Sequence, residues 1–125
     1  MKKLIALVVA LAATAGFAAE FPDISIADLK QAIAEKKVTV IDVNGAASYK
    51  AGHVPTAIDF ATQGNSLASL LPADKNALVV AYCGGPACSA YKAAANAANK
   101  LGYTNVKHLS AGISGWKAAK ESLEK

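Results

Sequence analysis

The two cysteines of this 125-residue chain, Cys83 and Cys88, fall in one short stretch, Cys83-Gly84-Gly85-Pro86-Ala87-Cys88-Ser89. The apolar segment Leu78-Val79-Val80-Ala81-Tyr82 precedes it, and an alanine-rich segment from Ser89 to Leu101 follows it. This order reads as strand, Gly/Pro-rich loop and helix. Such a loop gathers backbone N–H groups and the positive end of a helix dipole around one small volume. A thiol held there is pushed toward thiolate, the form that acts as nucleophile or sulfur carrier.

The surrounding sequence supplies elements to hold that loop. Ser25 can cap a helix starting at Ile26, with Asp28 near its positive end and apolar Ile26, Leu29, Ala32 and Ile33 at helical spacing through about Glu35. Val38 to Val43 is β-branched and almost wholly apolar, so it reads as a buried parallel strand, with Asp42 and Asn44 at its C-terminal end. Open α/β sheets gather ligands at that edge. A short helix is expected over 46–50, ended by Gly52, then a short strand over 57–60. A second short helix is expected over 67–71, capped by Asn65 or Ser66 and stopped by Pro72. The longest helix is expected over 89–101, with Ser89 as its cap and Gly102 closing it. A last strand over 105–109 leads to Gly112-Ile113-Ser114-Gly115-Trp116 and a terminal helix. Strands alternating with helices define an α/β layer sandwich with a mainly parallel sheet.

Length allows one domain. Met1-Lys2-Lys3 followed by an apolar run from Leu4 to Ala13 has the layout of a secretory signal peptide over residues 1–18, leaving a domain over 19–125. Cleavage is expected after Ala18, with Ala15 as the alternative. The run is shorter than the roughly 20 apolar residues of a membrane span, against the alternative of a retained anchor. The mature chain is therefore expected in a periplasm or outside the cell, with no membrane attachment after cleavage. Without Lys2 and Lys3 the 13 basic residues become 11 against 9 acids, a net charge of about +2. That balance, with no basic cluster, excludes a nucleic-acid partner.

Four segments, in order, resemble the single-domain rhodanese-like sulfurtransferases. Val40 to Val43 with Tyr49-Lys50-Ala51-Gly52-His53-Val54-Pro55-Thr56-Ala57 is similar to the family's first signature. Tyr82-Cys83 with the Gly-rich loop resembles its active-site loop. Leu101-Gly102-Tyr103-Thr104-Asn105-Val106 resembles the lead into its last strand, and Gly112 to Trp116 its C-terminal signature. The resemblance implies a rhodanese-like three-layer α/β/α sandwich with a mainly parallel five-stranded sheet. It also implies that Cys83 carries a persulfide, taken from thiosulfate, polysulfide or a low-molecular-weight persulfide and passed to a thiol or protein acceptor. The N–H groups of Gly84, Gly85, Ala87, Cys88 and Ser89 would cradle the sulfur, and Asp42, Asn44 and His53 would support the loop. No cofactor or metal is implied, and a monomer is expected.

Departures from the family pattern sharpen this expectation. Asn44 stands where members often carry arginine, Gly84 where they carry a basic residue, and Cys88 where they carry the loop-closing arginine; the chain has no arginine at all. Losing a charge-assisted bidentate contact weakens binding by about 1.5–3 kcal/mol, so thiosulfate is disfavoured as the donor. Ser89 also stands where the related phosphatases would need arginine. Cys88 has two readings: a resolving thiol that closes a disulfide with Cys83 in an oxidising compartment, or a small apolar filler. Two cysteines without a nearby histidine do not make a zinc site. His53 is read as a structural hydrogen-bonding residue, with proton transfer as the alternative, and His108 as a surface or edge residue. Trp116 is expected to pack the terminal helix onto the sheet. A non-catalytic binding or redox-sensing module with a Cys83–Cys88 disulfide is the competing function.

Overall fold

The computed structural model describes residues 21–125. The expected leader over 1–18 and its cleavage site lie outside the described residues. The apolar runs become β1 (Val38–Asp42), β2 (Ile58–Asp59), β3 (Leu78–Tyr82) and β4 (Val106–His108). They form one sheet in the order β2-β1-β3-β4, with every pairing parallel. β1 and β3 pair at the centre from Val38 opposite Leu78 to Asp42 opposite Tyr82, so Asp42 and the loop after Tyr82 share one edge.

The sheet has four strands among the described residues, not the expected five. Beside β4 the lead-in chain makes a single bridge, Asp23 opposite His108. His108 N–H donates to the Pro22 carbonyl at 2.8 Å and Ile24 N–H to the His108 carbonyl at 2.9 Å. Pro22 has no N–H of its own, which keeps this pairing short.

Among the described residues six α-helices complete the layers: α1 (Ile26–Ala34), α2 (Ala46–Ala51), α3 (Phe60–Gln63), α4 (Leu67–Leu70), α5 (Tyr91–Lys100) and α6 (Gly112–Ala118). Side chains alternate across β3. Val79, Ala81 and the following Cys83 pack with Leu67 of α4 and with Tyr91, Ala94, Ala95 and Ala98 of α5. Val80 and Tyr82 face the other way, toward Leu29 of α1 and Ile113 and Trp116 of α6. These two cores on either side of the sheet make the α/β/α sandwich. The alanine face of α5 lets that helix lie close to the strands. Trp116 is buried as expected, and its Nε1–H donates to the Ser122 carbonyl at 2.7 Å.

Several boundaries differ from the sequence reading, each for a local reason. Ser25 caps α1 as expected, accepting from Asp28 N–H at 3.0 Å. The strand expected over 57–60 pairs only at Ile58 and Asp59. There the Asp59 carboxylate accepts from Ala61 N–H at 3.1 Å and Thr62 Oγ1 at 3.0 Å, starting α3, which the sequence reading did not contain. Ser66 precedes α4 without a side-chain cap bond, and α4 ends one residue early because Leu71 is extended before Pro72. α5 begins at Tyr91, two residues later than expected. Its cap is Ala90, with no side-chain bond, so Ser89 does not cap the helix.

His108 lies on the edge strand yet is 8% exposed, with its ring stacked on Tyr91 at a centroid distance of 3.4 Å. Its Nε2 has no hydrogen-bond partner among the described residues. Burial pushes its pKa below the usual 6.5, Asp23 pulls it back up and Lys92 lowers it further. The unfolded chain then binds a proton more readily than the folded one. Stability should therefore fall as pH drops through about 6.5 and level off below the folded-state value, with a slope of at most about 1.4 kcal/mol per pH unit. Denaturant melts of wild type and His108→Phe across this window should show the decline in wild type alone.

Candidate functional site: the Cys83–Cys88 loop

β3 delivers Cys83 to the C-terminal edge of the sheet, where it is 1% exposed. The start of α6 fixes the backbone that follows. Ile113 N–H donates to the Cys83 carbonyl at 2.9 Å and Ser114 N–H to the Gly84 carbonyl at 3.0 Å. Among the described residues no peptide bond is cis, so the N–H of each planar unit points opposite to its carbonyl. The amides of Gly84 and Gly85 are thereby turned away from α6. Among the described residues the N–H groups of Gly84, Gly85, Ala87 and Ser89 donate to no backbone carbonyl. Four of the five expected cradle donors are thus unengaged. The fifth, Cys88 N–H, closes a turn onto the Gly85 carbonyl at 3.1 Å and is withdrawn from the cradle.

This anchoring requires very close approach. Gly112 has φ +63°, and a Cβ there would lie 2.5 Å from the Gly84 carbonyl carbon and 2.6 Å from Gly85 N. A Cβ on Gly85 would lie 3.0 Å from Ser114 Oγ. The sequence reading gave Gly112 to Ser114 no role beyond the family signature. Their contribution is to take up the loop carbonyls, and the only trace of it in the sequence is the glycine at the start of the helix.

Asp42 and Tyr82, opposite one another across β1 and β3, form the second support. The Tyr82 hydroxyl donates to Asp42 Oδ2 at 2.5 Å and accepts from Val54 N–H at 3.0 Å. Asp42 Oδ1 accepts from Asn44 N–H at 2.8 Å. Asp42, Tyr82 and Val54 are fully buried, and burial raises the Asp42 carboxyl above its usual 3.8, against the opposing hydrogen bonds from Tyr82 and Asn44. Burial, and then the bond to Asp42, likewise raises the Tyr82 hydroxyl far above its usual range, so it remains a donor. Asp42 therefore ties backbone beside the loop. Tyr82 had no assigned chemistry in the sequence reading, because nothing in its neighbours reveals a partner 40 residues away.

The remaining expected residues separate into two groups. Asn44 lies at the loop: a Cβ on Gly84 would be 3.9 Å from Asn44 Oδ1, and the buried Asn44 Nδ2 has no partner among the described residues. The atom it brings nearest to Gly84 is thus the carboxamide oxygen. His53 is engaged elsewhere. Its ring stacks on Tyr49 at 3.7 Å, its Nδ1 meets the Tyr49 carbonyl at 2.7 Å, and its Nε2 is 3.8 Å from Glu124 Oε1. His53 and Glu124 also exchange backbone bonds at 2.9 Å in both directions, so this histidine pins the C-terminal tail. Cys83 and Cys88 are joined as a disulfide with Cα atoms 6.3 Å apart.

The chain belongs to the rhodanese-like domain family, whose model matches residues 25–119. A protein from Bacillus halodurans has a solved structure with 31% identity and a TM-score of 0.64, covering 82% of this chain and 76% of its own. The human single-domain sulfurtransferase is 20% identical with a TM-score of 0.63, covering 81% of this chain and 98% of its own. The thiosulfate sulfurtransferase of Pseudomonas aeruginosa, 23% identical with a TM-score of 0.69, covers 85% of this chain but 20% of its own. A search of curated protein sequences found no match.

Proposed function

We propose that the chain is a sulfane-sulfur carrier of the sulfurtransferase kind, forming a persulfide on Cys83 and passing the sulfur to a thiol or other nucleophile. The observation that carries this reading is the set of unengaged amides at Gly84, Gly85, Ala87 and Ser89 in the loop that follows Cys83, those of Gly84 and Gly85 turned away from α6 by its bonds to the loop carbonyls. They are the donors an anionic sulfur needs at the transfer step. The sulfurtransferases among the structural neighbours support the same reading. The loop from Cys83 to Tyr91 holds no cation, which favours polysulfide or a thiol-bound persulfide over the dianion thiosulfate. The reading includes a periplasmic or secreted monomer that needs no cofactor and binds neither nucleic acid nor, after leader cleavage, a membrane.

The test is persulfide formation on the reduced protein, read by alkylation and mass spectrometry after exposure to thiosulfate, polysulfide or glutathione persulfide. Wild type should be loaded, Cys83→Ser should not, and Cys88→Ser should keep at least part of the activity. If reduced wild type takes sulfur from none of the three, the carrier reading falls. Replacing Cys88 with arginine should lower the KM for thiosulfate roughly ten- to a hundredfold; an unchanged KM would mean that the missing cation does not limit binding. The closed disulfide favours one second reading, a non-catalytic binding or redox-sensing module. Failure of the loading assay, with the disulfide present in protein trapped from its own compartment, would select it.

A further inference from the structure

The disulfide and the two unequal burials around it have a chemistry of their own. Cys83 is 1% exposed, while Cys88 is half-buried and flanked by exposed Ala87 and Ser89. A nucleophile from solvent therefore meets the loop on the Cys88 side. If the bond opens by attack at Cys88, the departing sulfur is Cys83, the residue followed directly by the unengaged amides of Gly84 and Gly85. A stabilised thiolate is the better leaving group in disulfide exchange, so burial and leaving-group ability select the same sulfur for attack.

We propose that the oxidised protein consumes sulfide, using the Cys83–Cys88 disulfide as the two-electron oxidant. Hydrosulfide attacks Cys88 Sγ; a new sulfur–sulfur bond forms there and the Cys83–Cys88 bond breaks. The bonding pair leaves on Cys83 Sγ as thiolate, and the incoming sulfur, still carrying its proton, becomes the outer atom of a Cys88 persulfide. The sulfide sulfur is oxidised and the disulfide reduced, so the step closes without an outside acceptor. Hydrosulfide is small and singly charged, so the missing loop cation is no obstacle.

The onward path rests on the carrier reading. The Cys83 thiolate attacks the outer sulfur of Cys88, forming the Cys83 persulfide and releasing Cys88 as thiolate. After the sulfur is passed on, a disulfide of the surrounding compartment re-oxidises the two thiols, itself reduced to two thiols. The product is sulfane sulfur made from sulfide, rather than sulfane sulfur moved from another donor.

The experiment treats protein purified without reductant with about equimolar sodium sulfide, free of oxygen, followed by rapid acid quench, alkylation, intact mass and peptide mapping. The expected result is the mass of one added hydrogen sulfide, release of about one thiocyanate per chain on cyanolysis, and persulfide on Cys88 at the earliest times. Protein reduced beforehand, given the same sulfide, should gain no sulfur. An intact disulfide, a dithiol with no added sulfur, equal labelling of the reduced control, or an earliest persulfide on Cys83 would each overturn the proposal. Glutathione persulfide on reduced protein is the separate arm for the carrier reading. Either arm can fail while the other succeeds.

Discussion

Gly112→Ala should unseat the Cys83 loop and cost about 3 kcal/mol or more of stability, while Gly84→Ala in the loop itself should cost under about 0.5 kcal/mol. The contrast comes from what each new methyl group would meet. At position 112 it would collide with the Gly84 carbonyl carbon at 2.5 Å, its oxygen at 2.6 Å and Gly85 N at 2.6 Å, all of them backbone that cannot swing aside. The φ of +63° adds about 1–2 kcal/mol for any residue with a Cβ. At Gly84 the nearest atom would be Asn44 Oδ1 at 3.9 Å, ordinary contact. Relief at position 112 must come from moving α6 away, which breaks the bonds from Ile113 and Ser114 to the loop carbonyls. Those carbonyls would then be free to turn, and the Gly84 and Gly85 amides with them. The expected readout is a Tm lowered by roughly 12 °C or more, with slower loading of Cys83 in whatever fraction stays folded. A Gly112→Ala protein within 2 °C of wild type would show that the helix start does not hold the loop.

The parts of this arrangement that sequence could reveal are those with a local cause. Ser25 and Asp28 three residues on mark the start of α1, and the apolar runs mark the central strands, because their signals lie within a few residues of the element. The loop was legible for the same reason: two glycines and a proline around Cys83 have few other uses. Boundaries failed where a residue served two elements. Asp59 ends β2 and caps α3, and its strand-like neighbours hid the second task. The fifth strand was implied by the resemblance alone and had no segment of its own in the sequence reading; the stretch beside β4 makes only the one bridge at Asp23. The supports of the site were hidden more deeply. Gly112 acts on Gly84 through space, and Tyr82 acts on Asp42 and Val54 across two other segments. His53, at a signature position of the family, instead reaches Glu124 at the far end of the chain. Single-sequence reading names such residues only by resemblance, and resemblance does not say what they touch.

Tyr82→Phe is the other change expected to have a large effect, because one oxygen serves two buried partners. Without the hydroxyl, Asp42 Oδ2 loses its donor and Val54 N–H its acceptor, at a place where all three residues are fully buried. A buried polar group left unpaired costs about 1–3 kcal/mol, so the two together should remove about 2–6 kcal/mol. Asp42→Asn should not restore what is lost. The amide oxygen can still accept from Asn44 N–H, but the amide nitrogen then faces the phenyl ring without an acceptor, and Val54 N–H stays unpaired. The pH dependence distinguishes this account from a simple packing defect. Asp42 has a raised folded-state pKa, so its linkage favours folding below about 3.8 and this contribution is lost as pH rises through the folded value. Removing the Tyr82 donor, which normally lowers that value, should carry the loss to higher pH. Denaturant melts of Tyr82→Phe and wild type across the acid range should therefore differ in the position of that limb as well as in overall stability. A uniform loss with the limb unmoved would mean that the hydroxyl only fills space, and that Asp42 is held by Asn44 alone.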